Sequence, residues 1–126
     1  EKTKSEVTEL TRKKGGLVSY FGTNDARKIH ELMDNGDEKA KLVLEAMAYQ
    51  ISKAIGELAT VLKGQVNAII LTGGIARSKF ISNIVRERVE FIAPLFIVPG
   101  EKEMQALASG ALRVLNNEEK YNIFEK

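Results

Sequence analysis

Two short apolar runs, Val66-Asn-Ala-Ile-Ile-Leu71 and Leu95-Phe-Ile-Val98, constrain this chain more than anything else in it. Both have the length and compactness of strands buried in a sheet. Between them Phe80, Ile81, Ile84, Val85 and Val89 recur at helical spacing, while Arg86, Glu87 and Glu90 fall on the other side. Strand, amphipathic helix, strand is the pattern of a parallel crossover unit. The expected fold class is therefore α/β, with a small, mainly parallel sheet flanked by helices. Two or three strands make a narrow sheet, and such a sheet normally continues with strands from elsewhere.

The remaining elements follow from periodicity and punctuation. Ser5 is placed to cap a short helix running to about Lys14, with Gly15-Gly16 at its end. Leu17 to Phe21 reads as a short strand. Gly22-Thr-Asn-Asp25 reads as a turn, and Asn24 or Asp25 caps a helix carrying Ile29, Leu32 and Met33 on one side. Asp37 opens the longest segment, which runs to Lys63 and stops at Gly64. Its main stripe is Val43, Met47, Ile51, Ala54, Leu58 and Leu62, widened by Leu44, Ala48, Ile55 and Ala59. At the standard rise this is a helix of roughly 40 Å, which calls for a sheet or another subunit beneath it. The last helix spans Glu103 to Leu115, with Met104, Leu107, Ala108, Ala111 and Leu115 expected inward. Gly110 within it is expected to mark a close helix crossing. A polar tail follows.

Composition removes several function classes. Among 126 residues, 19 basic side chains are balanced by 17 acidic ones, which gives no strong pull toward nucleic acid. No apolar run approaches a membrane span, so neither nucleic acid nor a membrane is an expected partner. Cysteine is absent, which rules out disulfides and cysteine–metal sites and fits a reducing, cytoplasmic setting. The chain starts at Glu1 without Met and in mid-pattern, so a piece of a longer protein is expected.

Three segments are candidates for chemistry. Leu71-Thr-Gly-Gly-Ile-Ala76 joins a strand to a helix, and open parallel sheets bind ligands at the carboxyl ends of strands. Its two glycines let a ligand approach the backbone, and the free N–H groups of the following helix suit phosphate. A tight turn with no ligand explains the same residues, and neither a dinucleotide nor a P-loop fingerprint is present. Gly22-Thr-Asn-Asp-Ala-Arg27 offers an acid and an arginine after a turn, although from the residues alone a plain helix cap with Arg27 in solvent explains it better. Pro99-Gly-Glu-Lys-Glu103 places carboxylates past a strand, where they can hold Mg²⁺ or simply favour a helix dipole. His30, the only histidine, is expected in solvent.

Taken together, the blocks Gly15 to Arg27, Gly36 to Lys41 with Glu45 to Ile51, Ile70 to Ala76, Arg86 to Pro94 and Pro99 to Leu112 resemble the acetate and butyrate kinase family, in its butyrate branch. The likeness runs in order from about Gly15 to Leu115 and concerns the C-terminal part of that family. It implies a ribonuclease-H-like, actin-like ATPase fold, shared with sugar kinases, actin and heat-shock chaperone ATPases. In that fold a nucleotide lies between two domains. It divides the chain into an N-terminal helix (1–14), part of the C-terminal nucleotide-binding domain (15–116) and a tail (117–126).

The activity implied is reversible transfer of the ATP γ-phosphoryl to butyrate or a branched-chain carboxylate, with ADP as product and Mg²⁺ as cofactor. By the same resemblance Gly73, Gly74, Ile75 and Ala76 pass beside the adenosine and α-phosphate. Asp25 and Arg27 flank adenine and ribose. Glu103, or failing it Glu101, lies near Mg²⁺. No catalytic residue is expected within the chain. The first phosphate loop, the carboxylate pocket and the basic residues around the transferring phosphoryl are expected upstream, so this piece alone is expected to be inactive. The resemblance also implies a homodimer. Acetate kinases carry a longer polar run where this chain has Ala76-Arg77-Ser78, which leaves the side-chain roles of those three open.

Overall fold

The computed structural model describes residues 2–100 and 103–122. The first helix, α1, spans Lys4–Glu9 and continues as a π-helical turn over Leu10–Lys14. Thr3, not Ser5, caps it: the Thr3 hydroxyl accepts from the Glu6 N–H while the Glu6 carboxylate accepts from the Thr3 N–H at 2.7 Å. This reciprocal pair satisfies two otherwise free donors, an option closed to Ser5 once the helix begins at Lys4.

Leu17–Phe21 is a helical turn, α2, rather than the expected strand. The bonds available there are local. Gly22 N–H donates to the Val18 carbonyl at 2.9 Å, and both the N–H and the hydroxyl of Ser19 turn to the Gly16 carbonyl. Lys39 then fastens the turn from outside, donating to the Tyr20 carbonyl and resting over the Phe21 ring at 5.3 Å. Among the described residues β-propensity had nothing to pair with there, and a strand without a partner leaves its backbone groups unsatisfied.

Helix α3 spans Ala26–Asp34 and α4 spans Glu38–Val61. Asp25 caps the first, and Asp37 caps the second by accepting from the Ala40 N–H at 2.9 Å. Strand β1 (Ile69–Gly73) leads through a 3-10 turn at Ile75–Arg77 into helix α5 (Lys79–Val89), and the chain returns as strand β2 (Leu95–Pro99). The strands pair in parallel, from Ile69 with Leu95 to Gly73 with Pro99. Helix α6 closes the described chain at Glu103–Leu115.

Helix α4 is the floor on which α3 and α5 pack. Its buried line is Ala40, Leu44, Ala48 and Ser52, spaced by four, with Val43, Met47, Ile51 and Ile55 half-buried beside it. The expected stripe was therefore centred one residue off, and its far end is open, with Leu58 and Leu62 exposed. The narrow alanines allow α5 to approach, so Ile81, Val85 and Val89 are buried against them together with Ile29 of α3 and Ile69 of β1. Each large aliphatic side chain enclosed in this way contributes about 1.5–3 kcal/mol. The buried Ser52 hydroxyl donates to the Ala48 carbonyl at 2.8 Å, which satisfies it within its own helix. Arg88 of α5 lies over the Tyr49 ring of α4 at 4.9 Å and covers the rim of the same contact.

The sheet differs from expectation in its burial. Both strands alternate, with Ile69 and Leu95 turned to the core while Ile70, Phe96 and Val98 are exposed. A run of apolar residues does not distinguish a strand covered on both faces from one with a single face covered. Likewise Met104, Leu107, Ala108, Ala111 and Leu115 of α6, expected inward, are all exposed, and a side chain at Gly110 would approach only Arg113 among the described residues. The periodicity of α6 is real, but nothing among the described residues packs against it. Among those residues, no helix is long and apolar enough to cross a membrane.

Candidate functional site

The carboxyl end of β1 and the N-terminus of α3 converge on one open cleft of about 1020 Å³. Asn24, Asp25, Ala26, Arg27 and His30 form one wall, Gly74, Ile75, Arg77, Ser78 and Ile81 the other, and Gly100 closes one edge. Asp25, Arg27, Gly74 and Ile75, all singled out from sequence, therefore lie around a single space. Gly73 sits behind them, at the end of β1. Ala76 is buried, so any contribution it makes runs through its backbone.

The glycine pair has two distinct conformations. Gly73 holds φ at 78°, the left-handed region that side chains disfavour, and this turns the chain off the sheet. Gly74 has ordinary helical angles, and a Cβ placed on it would meet nothing within 4 Å. Gly74 thus leaves bare backbone toward open space that its conformation does not require. The helix beyond begins past the glycines. The 3-10 turn intervenes and Ser78 caps α5, its hydroxyl accepting from the Ile81 N–H at 3.1 Å. The N-terminus of α5 is already occupied by its own cap.

Across the cleft, the Asp25 carboxylate does two things. It caps α3 through the Arg27 N–H, and it takes the Arg27 side chain in a two-pronged pair, Nε to Oδ1 and Nη2 to Oδ2, each at 2.9 Å. These bonds hold the Asp25 carboxyl below its usual range and push the Arg27 guanidinium higher still. Arg27 remains 88% exposed, so its other donors face solvent in the cleft. Arg77 brings a second guanidinium to the cleft, and no carboxylate among the described residues pairs with it.

His30 corrects the sequence expectation most plainly. It is part-buried rather than solvated, its Nε2 is hydrogen-bonded to the Ser78 hydroxyl, and its Nδ1 is buried with no hydrogen-bond partner among the described residues. The two side chains are 48 residues apart in the chain. Nothing local to His30 signals Ser78, so only the packing of both helices on α4 could reveal the pair. The same packing brings Arg77, whose side-chain role the sequence left open, and Gly100, part of the third candidate segment, to the cleft.

The metal expectation rests on Glu103 and Glu101. Glu103 opens α6, but its side chain lies outside the described set, and Glu101 lies outside the described residues altogether. Among the described residues, no three of His, Cys, Asp and Glu gather as metal ligands do. Chemically, the cleft combines two guanidinium groups for an anion, exposed backbone at Gly74, and the half-buried Ile75 as apolar surface. These features fit a nucleotide.

A parallel crossover unit with a polar cleft at its strand ends is the arrangement of α/β proteins that bind ligands at sheet edges. The chain belongs to the acetokinase family, whose sequence pattern matches residues 1–122. It is 56% identical over 110 residues to a probable butyrate kinase 2 of Caldanaerobacter subterraneus subsp. tengcongensis. That match covers 87% of this chain but 31% of the relative, whose C-terminal part it represents.

Proposed function

We propose that this chain is the C-terminal part of a carboxylate kinase of the butyrate kinase type and forms one wall of its nucleotide site. The observation that supports this best is the meeting of the Asp25–Arg27 loop with the Gly74–Ile75 turn around one cleft. On this reading the domain has the ribonuclease-H-like fold of the actin-like ATPases, and its two-stranded sheet is completed by strands from the preceding part.

ATP, when bound, supplies the phosphoryl group, and butyrate accepts it to give butanoyl phosphate and ADP. The residues of this chain bind and orient. Arg27, held in place by Asp25, and Arg77 offer donors to the polar parts of the nucleotide. Gly74 lets it pass against the backbone, and the half-buried Ile75 gives the base an apolar surface. Gly73 and Ala76 shape the turn from behind. Glu103 is the candidate carboxylate for Mg²⁺. Phosphoryl transfer depends on neutralising charge around the moving group, and that role falls to the preceding domain, which also holds the carboxylate. The part described here is inactive by itself. A cysteine-free chain suits the cytoplasm, and pairing of two copies is part of the same reading.

The test is an assay of the full gene product with ATP, Mg²⁺ and a series of short carboxylates, with acyl phosphate trapped as hydroxamate. Butyrate is expected to be the best acceptor. Preference for isobutyrate would move the assignment to the branched-chain kinases, and no acyl phosphate from any carboxylate would overturn it. Residues 1–126 alone are expected to yield none.

A further inference from the structure

Helices α3 and α5 both rest on α4, and each begins at the cleft, one on either wall. Only one side-chain hydrogen bond joins them directly among the described residues, and it lies at the cleft: His30 Nε2 with Ser78 Oγ. His30 stands just over one turn into α3, behind the Asp25–Arg27 pair. Ser78 is the residue on which α5 starts, directly after the 3-10 turn that carries Ile75 and Arg77. Both line the cleft.

The Ser78 hydroxyl already accepts from the Ile81 N–H, so its position is set by α5. A hydroxyl has one donor and two acceptor sites. It can give its proton to a bare Nε2 or accept one from Nε2–H, and either tautomer closes the pair. Keeping a part-buried imidazole with Nδ1 unpartnered is costly. A leucine at this position would fill the space without that cost. The imidazole adds one thing a leucine lacks, a directional tie between the two walls.

We infer that His30 is a positioning residue, which, through Ser78, sets the separation of the Asp25–Arg27 wall from the Gly74–Arg77 wall and so tunes nucleotide affinity. Its effect on the nucleotide is exerted through Ser78. This inference rests on the cleft being the nucleotide site.

The experiment uses the full-length enzyme and four variants. His30→Leu removes the bond while keeping apolar bulk. His30→Gln can place its terminal amide near the position of Nε2 and restore the bond. Ser78→Ala removes the other partner, and Gly74→Val tests the site itself. Thermal unfolding is followed in parallel. His30→Leu is expected to raise the KM for ATP about tenfold, the factor that 1.4 kcal/mol represents, and to leave the KM for the carboxylate unchanged with kcat within about twofold. His30→Gln is expected to recover most of the ATP affinity. In the His30→Leu background, Ser78→Ala is expected to add little further loss of affinity.

An unchanged ATP KM in His30→Leu, with Gly74→Val impaired, would overturn the positioning role and leave the site standing. Equal impairment by Leu and Gln, or a fall in melting temperature alone, would also overturn it. If Gly74→Val too left the ATP KM unmoved, the nucleotide site itself would be refuted, and the positioning role with it.

Discussion

The guanidinium of Arg77 occupies the space that a side chain at Gly100 would need: a Cβ built there would stand 3.1 Å from Arg77 Nη2. Gly100 also holds φ at 93°, and its N–H donates to the Gly73 carbonyl at 3.2 Å, which ties the exit of β2 to the exit of β1. One glycine therefore makes room for a cation in the cleft and fixes the edge beside it. Gly100→Ala is expected to destabilise the protein by about 1 kcal/mol, lowering the melting temperature by a few degrees, because L-residues disfavour this backbone region. The loss should persist in an Arg77→Ala background, since removing the guanidinium relieves the contact but not the dihedral. An unshifted melting curve would show that Gly100 is not held in the left-handed region.

The two glycines after β1 should respond in opposite ways. Gly73→Val forces a β-branched residue into the left-handed region and is expected to cost about 1–3 kcal/mol of stability, read by urea denaturation. Gly74→Val has compatible dihedrals and open space for its side chain. It should melt within a few degrees of the parent while losing ATP affinity at least tenfold in the full-length enzyme. Equal stability losses in both would refute the conformational difference between them.

Asp25 titrates below the usual carboxylate range, chiefly because the Arg27 side chain bonds to its ionised form. Its contribution to stability is therefore complete above the unfolded value of about 3.9 and is lost as pH falls through the lower folded value. NMR titration of the Asp25 carboxyl should place its midpoint below that of a free aspartate, and Arg27→Gln should move it upward. Arg27 is open to solvent and Asp25 partly so, and 1 M salt should therefore weaken the effect. A midpoint indifferent to Arg27→Gln would mean that the two-pronged pair does not persist in solution.

Along α4, burial rather than residue type should set the cost of truncation. Leu44 is fully buried, so Leu44→Ala is expected to lose about 2–5 kcal/mol. Leu58 is 65% exposed, and Leu58→Ala should stay within about 0.5 kcal/mol. Similar losses at both positions, measured by chemical denaturation, would require a partner over the C-terminal end of α4.

Much of the architecture was legible because its signals are local. Asp25 and Asp37 were read at helix starts, and each side chain takes a backbone N–H of the helix it opens. The crossover from β1 through α5 to β2 followed from two apolar runs and a helical spacing between them. The chemistry-bearing loops were legible too, since a glycine pair after a strand and an acid–arginine turn stand out in one dimension.

The errors came where a residue's fate depends on what lies opposite it. Leu17 to Phe21 has strand composition, but nothing among the described residues pairs with it, while Lys39 holds it as a helical turn. Met104 and Leu107 have the spacing of a buried face, and they are exposed because no described element covers them.

The sequence by itself determined the helices from α3 onward, the caps at Asp25 and Asp37, the parallel crossover and the family, because each rests on patterns and spacings that can be read along the chain. Only the tertiary structure decided that α4 is buried along Ala40, Leu44 and Ala48, and that one face of the sheet is open. It alone brought His30 to Ser78 and Arg77 to Gly100. Such contacts join positions far apart in the chain, and their geometry is set by how two helices settle on a third, which no local pattern encodes.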